Sequence, residues 1–160
     1  MGVKVIPLLH NVSSPQRVVE VAKAAYGLGY DIFVVSKPAG AAAQSGVPEA
    51  QRIALREGKT LVVLPSIEVA AELLGAETLV FVVSRKFADK PLEEVIKSLA
   101  GKGAEQKVLM VFGGAEPGLS AREMEMGERV YVSGIGNDVG PTALAVIALY
   151  VVRNLLSRQS

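Results

Sequence analysis

Short apolar runs alternate with amphipathic stretches along the chain, and glycine or proline separates most neighbours. Val3 to Leu9 is apolar almost throughout, the pattern of a strand buried on both faces. Ser13-Ser14-Pro15 then opens a helix, with hydroxyls to cap it and a proline where the missing N–H costs nothing. Val18, Val19, Ala22, Ala25 and Leu28 mark one side of that helix, and Gly29 closes it. Further strands are predicted at Asp31 to Ser36, Thr60 to Leu64, Thr78 to Val83, Val108 to Phe112 and Val130 to Ser133. Helices are predicted from Glu49 to Glu57, from Ile67 to Leu74 and from Pro91 up to Gly101. A last helix has no breaker from Pro141 to Leu156. Lys37 to Pro48, rich in Ala and Gly, reads as the most flexible segment. This alternation predicts an α/β fold: an open, mostly parallel sheet with helices on both faces, in one domain over residues 1–160.

Composition adds limits. Half the residues are apolar but few are aromatic, so Val, Ala, Leu and Ile must build the core. The 17 basic and 16 acidic side chains leave a net charge of +1, which is no footprint for tight nucleic-acid binding. There is no cysteine and one histidine, so no metal site is expected. The N-terminal run is short for a signal peptide, and the apolar run after Asp138 is short of the roughly 20 residues of a membrane span. A soluble, cytoplasmic protein is the expectation.

The chemistry concentrates where two strands give way to glycine. Gly113 and Gly114 stop one, and Gly134 and Gly136 stop the next; residues without a Cβ let a ligand approach the main chain. The run from Gly113 to Gly118-Leu119-Ser120 has the spacing of a phosphate-binding P-loop, but leucine stands where the lysine is needed. Gly134, Gly136 and Gly140 sit between strand and helix as in a dinucleotide fingerprint, but no later strand carries the ribose-binding acid. His10, at the end of the first strand, reads equally as a core histidine and as a substrate contact.

The segments VFGGAEPGLS and VYVSGIGNDVGPTALAVIALYVVRN resemble the second and third motifs of the SpoU (TrmH-like) branch of the SPOUT methyltransferases. Asn11 and Arg17, in HNVSSPQR, match the spacing of that family's first motif. The resemblance implies a C-terminal trefoil knot threaded by the chain from about Val130 onward, with S-adenosylmethionine held in the knotted loops. It implies methylation of an RNA ribose 2′-hydroxyl, in tRNA or rRNA. A base-methylating relative and a non-catalytic adaptor that binds the cofactor or RNA are the alternatives. Asn11, Arg17, Glu116 and Thr142 take the catalytic positions; Ala115 stands where the family has glutamate, and Gly140 where it has asparagine. Phe112, Gly113, Gly114, Gly118 and Leu119 fall on the cofactor side, with Gly134, Ile135, Gly136 and Leu144 from the later loop. A guanidinium donates rather than accepts, so Arg17 suits a clamp on substrate phosphate better than a base. Family members dimerise through the terminal helix, which here is apolar almost all round, and a homodimer is expected.

Two basic groups could hold RNA: Arg52, Arg56 and Lys59, and Arg85, Lys86 and Lys90. Arg52 and the Arg85-Lys86 pair are expected to contact phosphates, with weak and salt-sensitive binding.

Overall fold

The computed structural model describes residues 2–115 and 118–159. Seven strands form one sheet in the order β3-β2-β1-β6-β4-β7-β5, and every pairing in it is parallel. In chain order the strands are β1 (Val3–His10), β2 (Ile32–Ser36), β3 (Thr60–Leu64), β4 (Thr78–Val82), β5 (Lys90–Pro91), β6 (Gln106–Gly113) and β7 (Glu128–Tyr131). The helices are α1 (Pro15–Gly27), α2 (Val47–Glu57), α3 (Ile67–Leu74), α4 (Leu92–Ala100), α5 (Ala121–Met124) and α6 (Pro141–Gln159).

Period-two alternation in the strands sorts their side chains between two cores. Val108, Met110 and Phe112 of β6 point to one face, with Phe33 and Val35 of β2 and Val80 and Val82 of β4. Four helices cover this face: α1, α2, α4 and α6. Leu109 and Val111 point to the other, with Ile6, Leu8, Val34 and Phe81. Only α3 and the single turn of α5 supply helical cover there, through Ile67, Ala70 and Met124. The expected α/β sheet, covered by helices on both faces, is therefore present, with unequal cover.

Local chemistry sets the element ends. The Ser14 hydroxyl accepts from the Arg17 N–H at 3.1 Å and caps α1, and the Ser66 hydroxyl caps α3 through Val69. Gly75, at φ +67°, ends α3 in the left-handed region where a Cβ is penalised.

Two sequence-based expectations need correction, and two short elements were not expected. The Ala-Gly segment is not loose: a π-helical turn, Ala42–Gly46, runs into α2, with Ala42 buried. A Cβ on Gly46 would come within 2.8 Å of the Pro15 Cα, so glycine permits α1 to pack tightly there. The seventh strand starts at Glu128 rather than Val130, because register with β4 decides its start. Its polar first residues pair outward, Glu128 with Lys90 at 2.9 Å and Arg129 with Asp89 at 3.1 Å. The two-residue strand β5 and the turn α5 are too short for apolar periodicity to reveal.

Among the described residues, no helix is long and apolar enough to cross a membrane. In α6, Ala145, Ala148, Leu149 and Val152 are buried, whereas Ile147 and Tyr150 stay exposed at 36% and 56%. The helix is thus not covered all round within one chain. Its exposed side, Ala24 and Gly27 of α1, and Leu28 just past that helix line an apolar cleft of about 410 Å³.

Candidate functional site

Because every strand runs the same way, all carboxyl ends share one rim. β1 and β6 lie side by side at its centre, with His10 opposite Gly113. The N-terminus of α6 meets this rim through Arg17 of α1. The Arg17 Nε donates to the Thr142 hydroxyl at 3.1 Å, and its Nη1 donates to the Gly114 carbonyl at 2.6 Å. Both acceptors are neutral, and no carboxylate pairs with Arg17 among the described residues. A guanidinium has five N–H donors, and two are used among the described residues. The start of α6 adds the positive end of a helix dipole beside it.

His10 lies inside, at 2% exposure. Its Nδ1 is 2.7 Å from the Ser36 hydroxyl, and its Nε2 is 2.8 Å from a carboxylate oxygen of Glu123. An ionised carboxylate only accepts, so Nε2 carries the proton and Nδ1 accepts from Ser36. Burial lowers the His10 pKa, with Glu123 opposing, and the ring is held neutral. Burial works against the Glu123 charge as well, yet a hydrogen bond from the Ser120 backbone and the His10 ring hold its carboxyl below the ordinary range. With His10 neutral, that link is a hydrogen bond rather than an ion pair. Ser36 is fully buried, so the relay joins three elements from within: the ends of β1 and β2, and α5. Of the two readings of His10, this burial and both internal hydrogen bonds match the core histidine.

Glu123 and Ser36 were missed in the sequence. The signal for Glu123 was present: Ser120-x-x-Glu123 is a capping box, and both of its hydrogen bonds form, at 2.8 and 3.0 Å. Asn11 takes φ +59° immediately after β1, and Lys37 takes φ +52° immediately after β2. Two non-glycine residues in the left-handed region thus stand side by side on the rim, tied by the Asn11 N–H to the Ser36 carbonyl at 2.9 Å.

The remaining expected residues separate. Phe112 is 1% exposed and its ring belongs to the core, so it can offer a ligand only its backbone. Gly113, Gly114 and Gly118 are closed against their own chain, while Leu119 packs on the thinly covered face. Ile135 and Leu144 pack on the opposite core, and Gly134 and Gly136 are open. Glu116 lies outside the described residues. Arg52 pairs with Glu49 at 2.9 Å on α2, whereas Arg85 and Lys86 follow β4 on the other side of the β1–β6 centre. Among the described residues no three His, Cys, Asp or Glu side chains gather as a metal site.

Solved structures share this architecture. A candidate methyltransferase from Bordetella pertussis Tohama I aligns at a TM-score of 0.75 and 17% identity, over 96% of this chain and 94% of that one. The SpoU methyltransferase AviRb from Streptomyces viridochromogenes aligns at 0.73 and 16% identity, over 96% of this chain and 60% of the other. AviRb in complex with AdoMet aligns at 0.69 and 16% identity, over 94% and 59%. At such identities the likeness concerns the fold.

Relatives in sequence carry a different description. ApeKORF2002P of Aeropyrum pernix, described as a candidate type II restriction enzyme, is 49% identical over 150 residues, covering 94% of this chain and 93% of its own. MjaORF1200P of Methanocaldococcus jannaschii, with the same description, is 31% identical over 147 residues, covering 92% and 94%. These relatives overturn the expected RNA methyltransferase activity. A local reason agrees with them: the position of the methyltransferase asparagine is Gly140, which has no side chain and sits at φ +87°. The model for the family described as RecB-family nuclease (DUF2122) matches residues 40–151, and the chain belongs to that family.

Proposed function

We propose that the protein cleaves a nucleic-acid phosphodiester at the rim where β1 and β6 end and α6 begins. The carrying observation is Arg17, fixed by two neutral oxygens and left without a carboxylate among the described residues. As water adds to phosphorus and the P–O bond to the leaving sugar oxygen opens, negative charge grows on the phosphoryl oxygens. A cation already held in place stabilises that charge without reorganising. The leaving oxygen departs with a proton, and the products are a phosphomonoester and a free hydroxyl. The family description and the two restriction-enzyme relatives support this reading.

End-labelled single-stranded DNA, duplex DNA and RNA, incubated with the protein and magnesium and resolved on denaturing gels, test it. Cleavage of one of them is expected, with Arg17→Ala about 100-fold slower and Arg17→Lys intermediate. No cleavage of any, or an unchanged rate in Arg17→Ala, overturns it.

A second reading concerns a ligand on the loop after β7. The open space at Gly134, Gly136 and Gly140, together with the fold shared with AdoMet-bound AviRb, supports S-adenosylmethionine lying against that backbone. Gly134, Ile135 and Gly136 would hold it, with Leu144 beneath; the trefoil threading from about Val130 belongs to the same proposal. Titration calorimetry with S-adenosylmethionine tests it, and absence of heat at millimolar ligand removes it. Two copies paired across the α1–α6 cleft are proposed as well, supported by exposed Ile147 and Tyr150. Light scattering is expected to give twice the 16.8 kDa chain mass.

A further inference from the structure

The turn Arg85–Phe87 follows β4, which lies between β6 and β7, so it stands on the same rim as Gly113 and Gly114. Phe87 is 51% exposed, although the next residue, Ala88, packs on the core of the thinly covered face. The turn therefore sends the small side chain inward and the large ring outward, the reverse of what core packing alone would select. Each ring here has a cation beside it. The Lys86 Nζ is 5.0 Å from the Phe87 centroid, and the Arg85 guanidinium is 4.8 Å from the centroid of half-buried Tyr131.

Charge around the turn is unevenly spent. Glu128 is taken by Lys90, and Asp89 by Arg129. Arg85 and Lys86 form no ion pair with any described residue. An exposed aromatic ring and two cations without a carboxylate partner among the described residues, on three consecutive positions, form a pattern suited to a strand with unstacked bases. The ring takes a base, and the cations take the flanking phosphates.

We propose that Phe87 is a stacking platform for an unpaired nucleic-acid base, with Arg85 and Lys86 holding the adjoining phosphates. This rests on the nucleic-acid reading above and deepens it, because it selects single-stranded segments over intact duplex. A base seated on the ring displaces the Lys86 ammonium towards phosphate, so the two contacts support each other.

Fluorescence anisotropy tests it, with labelled oligothymidylate, oligouridylate and a DNA duplex of equal length over a salt series. Phe87→Ala is expected to weaken binding of a single strand about tenfold, leaving the salt slope and duplex binding unchanged. Phe87→Tyr is expected to restore it. The Arg85→Gln, Lys86→Gln double variant is expected to reduce the salt slope by about 1.4, at about 0.7 per phosphate. Oligothymidylate and oligouridylate distinguish DNA from RNA as the source of the base, and a loss with either supports the platform. Wild-type binding of single strands by Phe87→Ala, or equal weakening for strand and duplex, overturns the platform and leaves the nucleic-acid reading standing. No binding of any probe by the unaltered protein overturns both.

Discussion

The two glycine loops on the rim look alike in the sequence and differ in space. In the loop after β6, a Cβ on Gly114 would lie 2.5 Å from the Val12 Cβ, and one on Gly118 would lie 2.7 Å from the Gly113 Cα. The repeated spacing there closes the loop upon itself: Gly113 and Gly118 touch, and Gly114 backs onto the end of β1. In the loop after β7, a Cβ on Gly134, Gly136 or Gly140 would meet nothing within 4 Å. Glycine in the first loop satisfies packing. In the second it satisfies backbone conformation at two positions, φ +93° and +87°, and leaves the third with neither demand. A glycine-rich strand end is thus no single kind of site: among the described glycines of the two loops, those of the second have room beside the main chain.

Substitutions can break this comparison, and the largest effect belongs to the closed loop. Gly114→Ala and Gly118→Ala each force backbone apart and are expected to cost about 3 kcal/mol, read from urea unfolding. A stable Gly114→Ala variant would mean that the loop does not close on β1. Gly134→Ala and Gly140→Ala should cost less, about 1–2 kcal/mol, through left-handed backbone alone.

The relay beneath the closed loop gives a pH signature. The folded His10 pKa lies below its ordinary 6.5, so the unfolded chain binds more protons. Its contribution is complete above pH 6.5 and is lost as pH falls towards the folded value. Glu123, lowered from 4.5, adds a second loss below that pH. Glu123→Gln keeps an acceptor for the His10 N–H; it should abolish the second loss in acid-unfolding curves and deepen the first, because the charge that opposes the lowering of the His10 pKa is gone. An unchanged curve would separate Glu123 from the relay.

The smallest expected effect is the sharpest test of the open loop. Gly136→Ala should change stability by less than about 0.5 kcal/mol, since neither space nor φ opposes it. If a ligand lies on that backbone, the same variant loses its binding at unchanged stability.

Much of the frame was legible in the residues. Thr60–Leu64 and Ile67–Leu74 have the bounds that apolar pattern and Gly75 predict, because each is decided within its own few residues. Arg17 was legible from its spacing after Asn11. Its acceptors were not, since Thr142 lies 125 residues away and Gly114 lies 97 away. The function expected from the motifs was overturned although the parallel, helix-covered sheet was found. Short glycine motifs report loop geometry, which many chemistries can share.

By itself the sequence determined strands, caps and the two-sided sheet, because periodicity, hydroxyl caps and glycine act over one or two turns of chain. Tertiary structure alone decided that His10 is buried between Ser36 and Glu123, that Arg17 rests on two neutral oxygens and that the described glycines of one loop are packed while those of the other are open. Each of these depends on strand order. Placing β1 between β2 and β6 sets Gly114 against Val12 and His10 between Ser36 and Glu123. No spacing along the chain encodes that adjacency; it follows from burying both faces of one sheet at once.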